Sequence, residues 1–131
     1  MSARPLEVHK FGGTSVGDAD RITRVARLIS DRRVDADVCV VSSAMSGVTN
    51  RLVDLVSLGR GAANERAERL EWLRTHHERT LADLDLDAQA RDGVRDCLDD
   101  LDALVAPLDQ FHRTPPALSD RIQSMGERLA V

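Results

Sequence analysis

Tyrosine is absent from this chain, and Phe11, Trp72 and Phe111 are its only aromatic residues among 131. Aliphatic side chains must therefore build whatever core exists. Cysteine is almost as scarce: Cys39 lies in an apolar run and Cys97 in a helical pattern, with no CxxC and no neighbouring histidine pair. That usage argues against a disulfide framework or a zinc site, and both thiols are expected to be free and buried. No segment approaches the ~18 consecutive apolar residues of a membrane span. The first ten residues also lack the apolar core of a signal peptide, so the expectation is a soluble, cytoplasmic chain with no membrane partner.

An excess of one charge is lacking too. The 18 basic and 22 acidic residues leave a net charge of −4, without the basic face or stripe of a dedicated nucleic-acid binder, so no nucleic-acid partner is expected. His9, His76, His77 and His112 match no catalytic spacing and receive no role. Asp96, Asp99, Asp100 and Asp102 recur at helical spacing with leucines between them, which reads as a solvated face and not as a metal site. No internal repeat is present. A chain of this length forms one domain or a piece of one, burying roughly two-thirds of its unfolded surface.

What the chain does have is concentrated in residues 8–17, VHKFGGTSVG. An apolar strand ends in Lys10 and runs into Gly12-Gly13, where the absence of Cβ atoms lets a bulky anion approach the peptide N–H groups. Thr14 and Ser15 add short hydroxyl donors, and Asp18 or Asp20 can cap a helix beginning near Arg21. Strand, glycine turn and helix in that order aim the positive end of the helix at the turn, which makes a phosphate cradle. Lys10 would bring a full positive charge to phosphate oxygens, as phosphoryl transfer requires. The pattern is neither the P-loop GxxxxGK[ST] nor the dinucleotide GxGxxG.

Up to about Leu58 the pattern alternates between strands and helices. Leu6 to Phe11 is expected as the first strand and Asp37 to Ser42 as the second, where the continuously apolar Val38-Cys39-Val40-Val41 reads as a strand covered on both faces. Ile22, Val25, Ala26 and Ile29 recur on one helical face, making 21–32 the crossover of a right-handed βαβ unit with parallel strands. Ligands of such sheets gather at the carboxyl ends of the strands. The loops KFGGTS and SSAMSGVTN should therefore lie side by side. In the second loop Ser42, Ser43, Ser46 and Thr49 present four hydroxyls in eight residues. Hydroxyls suit a zwitterionic amino acid because they donate to carboxylate or accept from ammonium without adding charge, although a serine-rich helix cap has the same composition.

From about Ala62 the texture becomes helical. Leu70, Leu73, His77, Leu81 and Leu84 step by three or four, as do Val94, Leu98, Leu101 and Val105, with a turn expected at Asp85 to Asp87. These are expected to form two antiparallel helices over 64–106. Pro115-Pro116 breaks the chain, and Ser119 is expected to cap a last helix running through Val131.

The run KFGGTSVG, followed about thirty residues later by VVSSAMSGVTN at 40–50, resembles the N-terminus of the aspartokinases, members of the amino acid kinase superfamily. SDRIQSMGERLAV at 119–131 is similar to that family's approach to a Gly-Glu pair. The resemblance implies an α/β fold: a truncated three-layer αβα sandwich with a parallel sheet and a helical hairpin insertion. Residues 1–60 would carry the phosphate and aspartate loops, 61–113 the insertion and 114–131 the start of a further helix. It implies an ATP-dependent transferase that phosphorylates the β-carboxylate of L-aspartate to 4-phospho-L-aspartate, at the head of lysine, threonine and methionine synthesis. It places phosphate contacts at Lys10, Phe11, Gly12, Gly13 and Ser15, with Lys10 catalytic, and aspartate contacts at Ser43, Thr49 and Glu127. ATP would arrive with Mg2+ bound through the nucleotide, no protein metal site is implied, and the full-length protein is expected to form a homo-oligomer.

The family's second half, with a GGSD-type glycine-rich segment and an adenine-binding segment, is not in these 131 residues, and the chain reads as an N-terminal fragment with little or no turnover alone. Another amino acid kinase, acting on glutamate or acetylglutamate, and a non-catalytic partner-binding module derived from the same fold remain open alternatives.

Overall fold

A computed structural model describes residues 3–131. Two parallel strands, β1 (Leu6–Phe11) and β2 (Asp37–Ser42), pair in register from Leu6 opposite Asp37 to Phe11 opposite Ser42. The helix α1 (Ala19–Arg32) joins them as the expected crossover. Asp18 starts it: in extended conformation, it accepts the Arg21 N–H at 2.9 Å, satisfying a donor that the first turn cannot pair internally. At the other end, Arg32 of α1 forms a bidentate pair with Glu7 of β1, and that guanidinium, helped by His9, holds the Glu7 carboxyl down at about 2. Arg4 reaches the backbone carbonyls of Arg33 and Ala36, closing the turn into β2.

Four further elements follow: α2 (Val48–Ser57), α3 (Ala63–Asp83), α4 (Ala88–Val105) and α5 (Pro116–Ala130), with a 3-10 turn at Ala106–Gln110 between the last two. The periodic leucines behave as expected. Leu73, His77 and Leu81 of α3 and Leu98, Leu101 and Val105 of α4 are buried, while Leu70, Leu84 and Val94 are partly buried. The pair is antiparallel, since Arg74 bonds Asp99 and Asp102 while Glu78, one turn further along α3, bonds Arg95, one turn earlier on α4. Asp87 caps α4 through the Ala90 N–H at 2.7 Å.

The core lies in this helical half. Leu52 and Leu55 of α2, Leu73, Leu98, Leu101, Leu108 of the 3-10 turn, and Ile122 and Met125 of α5 are among its largest fully buried side chains. Each such aliphatic residue contributes about 1.5–3 kcal/mol through the area it removes from water. No residue of β1, β2 or α1 belongs to that set of buried core residues.

This distribution corrects several sequence expectations. Strand β2 is not covered on both faces: Cys39, Val40 and Val41 are exposed, and so is Cys39's thiol, whereas Cys97 is buried as expected. One face of the sheet packs under α1, and the opposite face, carrying Leu6 (72% exposed), Val8 (67%), Cys39 and Val41, is open among the described residues. A continuous apolar run reports what a strand can be covered by, not whether these residues supply the cover. Ala26 of α1 is exposed, leaving Ile22, Val25 and Ile29 as the half-buried face. Ser119 does not cap the last helix, which starts three residues earlier at Pro116 because proline's fixed φ suits the first helical position. Instead the Ser119 hydroxyl accepts from Gln123 at 3.0 Å.

Candidate functional site

The parallel pairing brings the two conspicuous loops together at the carboxyl ends of β1 and β2. The Ser43 N–H donates to the Phe11 carbonyl at 2.9 Å, extending the ladder one step beyond the strands. Beyond it, Gly13 lies so close to the second loop that a Cβ built there would meet the Ala44 carbonyl oxygen at 3.0 Å and the Ser46 nitrogen at 3.7 Å. Gly17 shows the same closeness, with the Ser46 Cβ at 3.4 Å and the Gly13 carbonyl oxygen at 3.3 Å. Gly12, by contrast, has nothing within 4 Å of its missing Cβ and faces open space. The two glycines thus do different work: Gly13 lets the loops touch, and Gly12 keeps the backbone approachable.

The first loop closes on itself through the Ser15 N–H, which donates to the Gly12 carbonyl at 2.9 Å. Arg21 straps it from α1, donating to the Thr14 carbonyl at 2.7 Å while pairing with Asp18 at 3.4 Å. Ser15 is exposed. It lines, with Phe11, Thr14, Arg21, Arg24, Val25 and Leu28, a cavity of about 410 Å3. Phe11 points to the α1 side of the sheet, so its backbone carbonyl, held by Ser43, is the part that meets the second loop. Lys10 is exposed, stands beside Val41 in the register, and pairs with no carboxylate among the described residues.

The second loop turns sharply into α2. Gly47 adopts φ +82°, a left-handed conformation that glycine takes without the strain a side chain would bring, and the Val48 N–H donates to the Met45 carbonyl at 3.1 Å. Ala44, Met45 and Val48 are buried, which anchors the loop from below, and Ser43 and Thr49 are left half-buried and exposed respectively. Helix α5 presses on the same loop. A Cβ on Gly126 would meet the Ala44 methyl at 3.0 Å, Leu52 Cδ1 at 3.2 Å and Val48 Cγ1 at 3.5 Å. Glu127 follows it and is exposed.

The structure therefore joins Lys10, Phe11, Gly12, Gly13 and Ser43 through direct strand and loop contacts, sets Thr49 in the adjoining first turn of α2, and brings Gly126 against that turn, while the exposed Glu127 makes no hydrogen bond or ion pair with it among the described residues. No side-chain hydrogen bond connects Ser43, Thr49 and Glu127 to one another among the described residues. Sequence reasoning missed two elements of the surroundings. Arg21 ties the phosphate-type loop to α1, and Trp72 of α3 packs on the second loop at Gly47, with Cη2 3.5 Å from the missing Cβ. An arginine one turn into a helix carries no local signal of its target. Trp72 contacts a loop some 25 residues away in sequence, beyond the reach of periodicity.

Comparison with known proteins gives a consistent picture. A model of the amino acid kinase family matches residues 5–131. Among curated proteins, an aspartate kinase of Pseudomonas putida is 57% identical over 51 residues, covering 38% of this chain and 12% of that protein. An aspartokinase of Pseudomonas aeruginosa is 55% identical over 53 residues, covering 40% and 13%. Among solved structures, E. coli aspartokinase III in complex with lysine and aspartate superposes with TM-score 0.80 at 34% identity, over 98% of this chain and 27% of that one. The same enzyme in complex with aspartate and ADP gives 0.79 at 34% identity, over 96% and 27%. The chain thus spans about a quarter of the solved relatives, and the matched segments about an eighth of the curated ones.

Proposed function

Because this chain belongs to the amino acid kinase family, we propose that it forms the phosphate- and aspartate-binding part of an aspartate kinase, the enzyme that transfers the γ-phosphoryl group of ATP to the β-carboxylate of L-aspartate. The α/β fold with its parallel sheet is that of the solved aspartokinase III, whose complexes hold aspartate and ADP. The observation that carries the reading is the contact of the two loops: Gly13 against Ala44, beside the Ser43–Phe11 backbone bond, with Lys10 at the end of the same strand.

In this reading the backbone at Gly12 and Gly13 and the Ser15 hydroxyl receive the nucleotide phosphates. The open space at Gly12 and the uncompensated charge of Lys10 fit an anionic ligand. A β-carboxylate oxygen of aspartate attacks the γ-phosphorus as the bond to the bridging oxygen of ADP breaks, giving 4-phospho-L-aspartate and ADP. Lys10 offsets the negative charge carried by the phosphoryl oxygens during that exchange. Ser43 and Thr49 offer hydroxyls to the amino acid, and the Glu127 carboxylate suits its ammonium. In this reading Mg2+ arrives bound through the nucleotide; the described residues contain no group of three His, Cys, Asp or Glu arranged to hold a metal ion. No helix among the described residues is long and apolar enough to cross a membrane. In this reading the enzyme is cytoplasmic and serves the synthesis of lysine, threonine and methionine. Residues 1–60 carry both loops, 61–113 the helical insertion and 114–131 the helix bearing Glu127. We further propose that the kinase works as a homo-oligomer and that the groups within these 131 residues position the reactants too incompletely for appreciable turnover.

Calorimetry with L-aspartate and with MgATP tests the assembly of the site without requiring turnover. Saturable aspartate binding that Thr49→Ala weakens by about ten- to a hundredfold, the worth of a hydrogen bond to a charged ligand, is the expected result. Lys10→Ala should weaken MgATP selectively. A folded chain that binds neither ligand would overturn the proposal.

A further inference from the structure

Trp72 is the chain's single tryptophan, and it stands on the helical insertion, away from both ligand loops in sequence. In space it lies on the second loop. Its Cη2 and Cζ2 atoms are 3.5 and 4.0 Å from where a Cβ of Gly47 would stand, so the indole occupies the side of the turn that a side chain would otherwise take. The Arg51 guanidinium, two residues beyond Thr49, lies over the ring 4.7 Å from its centroid. The His76 imidazole, one turn further along α3, stacks on the same indole with centroids 4.8 Å apart and planes 11° from parallel. His76 Nε2 is buried without a hydrogen-bond partner, so stacking and not polar bonding places that ring. Arg51 has no carboxylate partner among the described residues, which leaves the indole face as its anchor.

We propose that Trp72 is a positioning residue for the amino-acid substrate: by packing on Gly47 and holding Arg51 over its ring, it fixes the left-handed turn and first turn of α2 that carry Thr49. The proposal rests on the aspartate-binding reading of Thr49. A glycine at φ +82° has no side chain to wedge it in place and visits both halves of φ space readily, so a surface packed against it restricts the turn. Gly61, the other described glycine at positive φ, has no such neighbour within 4 Å of its missing Cβ. The core anchors the preceding residues, Ala44 and Met45, and the following Val48, but Gly47 itself and Thr49 are exposed, and the indole is what bounds the turn on its outer side. A rigid ring on a helix holds this turn at a low entropy cost, and a loop that is already ordered binds its ligand more tightly than one that must be ordered on binding.

The test uses the purified chain, with Trp72→Ala, Trp72→Phe and Arg51→Ala, and three readouts: calorimetric affinity for L-aspartate, calorimetric affinity for MgATP, and amide hydrogen exchange at residues 46–51. Trp72→Ala and Arg51→Ala are expected to weaken aspartate by about tenfold, the scale of a lost cation–π contact. They should leave MgATP affinity unchanged and raise exchange at 46–51 above that of the rest of the core, and Trp72→Phe should restore most of both. In the wild type, aspartate but not MgATP should shift the emission of the lone tryptophan. Unchanged exchange at 46–51 in Trp72→Ala and Arg51→Ala would overturn the proposal, as would losses of the two ligands that are equal and accompanied by faster exchange throughout the core. Should Trp72→Ala fail to fold, Arg51→Ala and the wild-type emission decide. A wild type that binds no aspartate refutes the functional reading, and the exchange measured at 46–51 then still upholds or overturns the role of Trp72 in setting the turn.

Discussion

Gly126 of α5 stands against Ala44 of the second loop so closely that a single added Cβ would lie 3.0 Å from the Ala44 methyl. The neighbours on that side, Leu52 and Val48, are fully buried and have little room to retreat. Overpacking a core contact costs about 1–3 kcal/mol, while replacing glycine by alanine inside a helix recovers about 1 kcal/mol. Gly126→Ala is therefore expected to lower stability by about 1 kcal/mol net, read as a shift in the urea midpoint, and to weaken aspartate binding because the helix bearing Glu127 must move off the loop. A gain in stability would mean that the contact yields.

Gly93, in α4, supplies the opposite case. Nothing lies within 4 Å of its missing Cβ, and its φ is not in the left-handed region. Gly93→Ala should raise stability by about 0.5–1 kcal/mol through reduced freedom of the unfolded chain and better helix propensity, with ligand affinities untouched. The same urea titration checks it.

Arg66 is 4% exposed and would be an uncompensated buried charge without Asp109, whose carboxylate also accepts the Gly61 N–H at 2.8 Å. Arg66 additionally donates to the Gly59 carbonyl at 2.9 Å, so one guanidinium and one carboxylate fasten the α2–α3 connection to the 3-10 turn. Breaking a fully buried pair costs about 3–5 kcal/mol. The Asp109 side chain is 49% exposed, and solvent screening brings the expected loss in Asp109→Ala to about 1–3 kcal/mol. A double-mutant cycle with Arg66→Met should recover part of it, since the second change removes the stranded charge.

His77 is 2% exposed, donates from Nδ1 to the Leu73 carbonyl at 2.7 Å and leaves Nε2 without a partner. Burial pushes its imidazole below the ordinary 6.5, so the unfolded chain takes up the proton first as pH falls. Its contribution to stability is thus complete above about pH 6.5 and is lost as pH drops towards the lower value of the folded state. His76, pushed in the same direction by burial and by Arg79, adds to the slope. The urea midpoint should fall between pH 7.5 and 5.5 in the wild type and fall less in His77→Leu. Equal slopes would contradict the assignment.

Much of the fold was legible because its signals are local. The limits of β1 and β2, the Asp18 cap, offered together with Asp20, the turn at Asp85 to Asp87 and the leucine spacing of α3 and α4 depend on residues within about a turn of one another. The 3-10 turn at 106–110 was not read from the sequence, although Pro107, which has no N–H to donate and crowds the preceding turn, gives a local reason for the chain to leave α geometry there; the bond from its Asp109 to Arg66, 43 residues away, has no local signal. Nor was the exposure of Cys39, because an apolar strand looks the same whether or not something covers it.

The candidate site divides along the same line. Lys10, Gly12 and Gly13 were named by their chemistry, Ser43 and Thr49 were singled out from the second loop's four hydroxyls by the family resemblance, and the rule that parallel strands deliver their loops to one edge set the two loops side by side. The sequence by itself determined the strand–glycine–helix cradle, the parallel crossover and the helical hairpin, because backbone freedom, capping and periodicity act between near neighbours. Only the tertiary structure decided that Gly13 touches Ala44, that Gly126 seats α5 on the same loop, that Trp72 closes on Gly47 and that no described residue covers one face of the sheet. Those outcomes depend on close packing between segments tens of residues apart, where a few tenths of an ångström separate contact from clash and no local pattern records the distance.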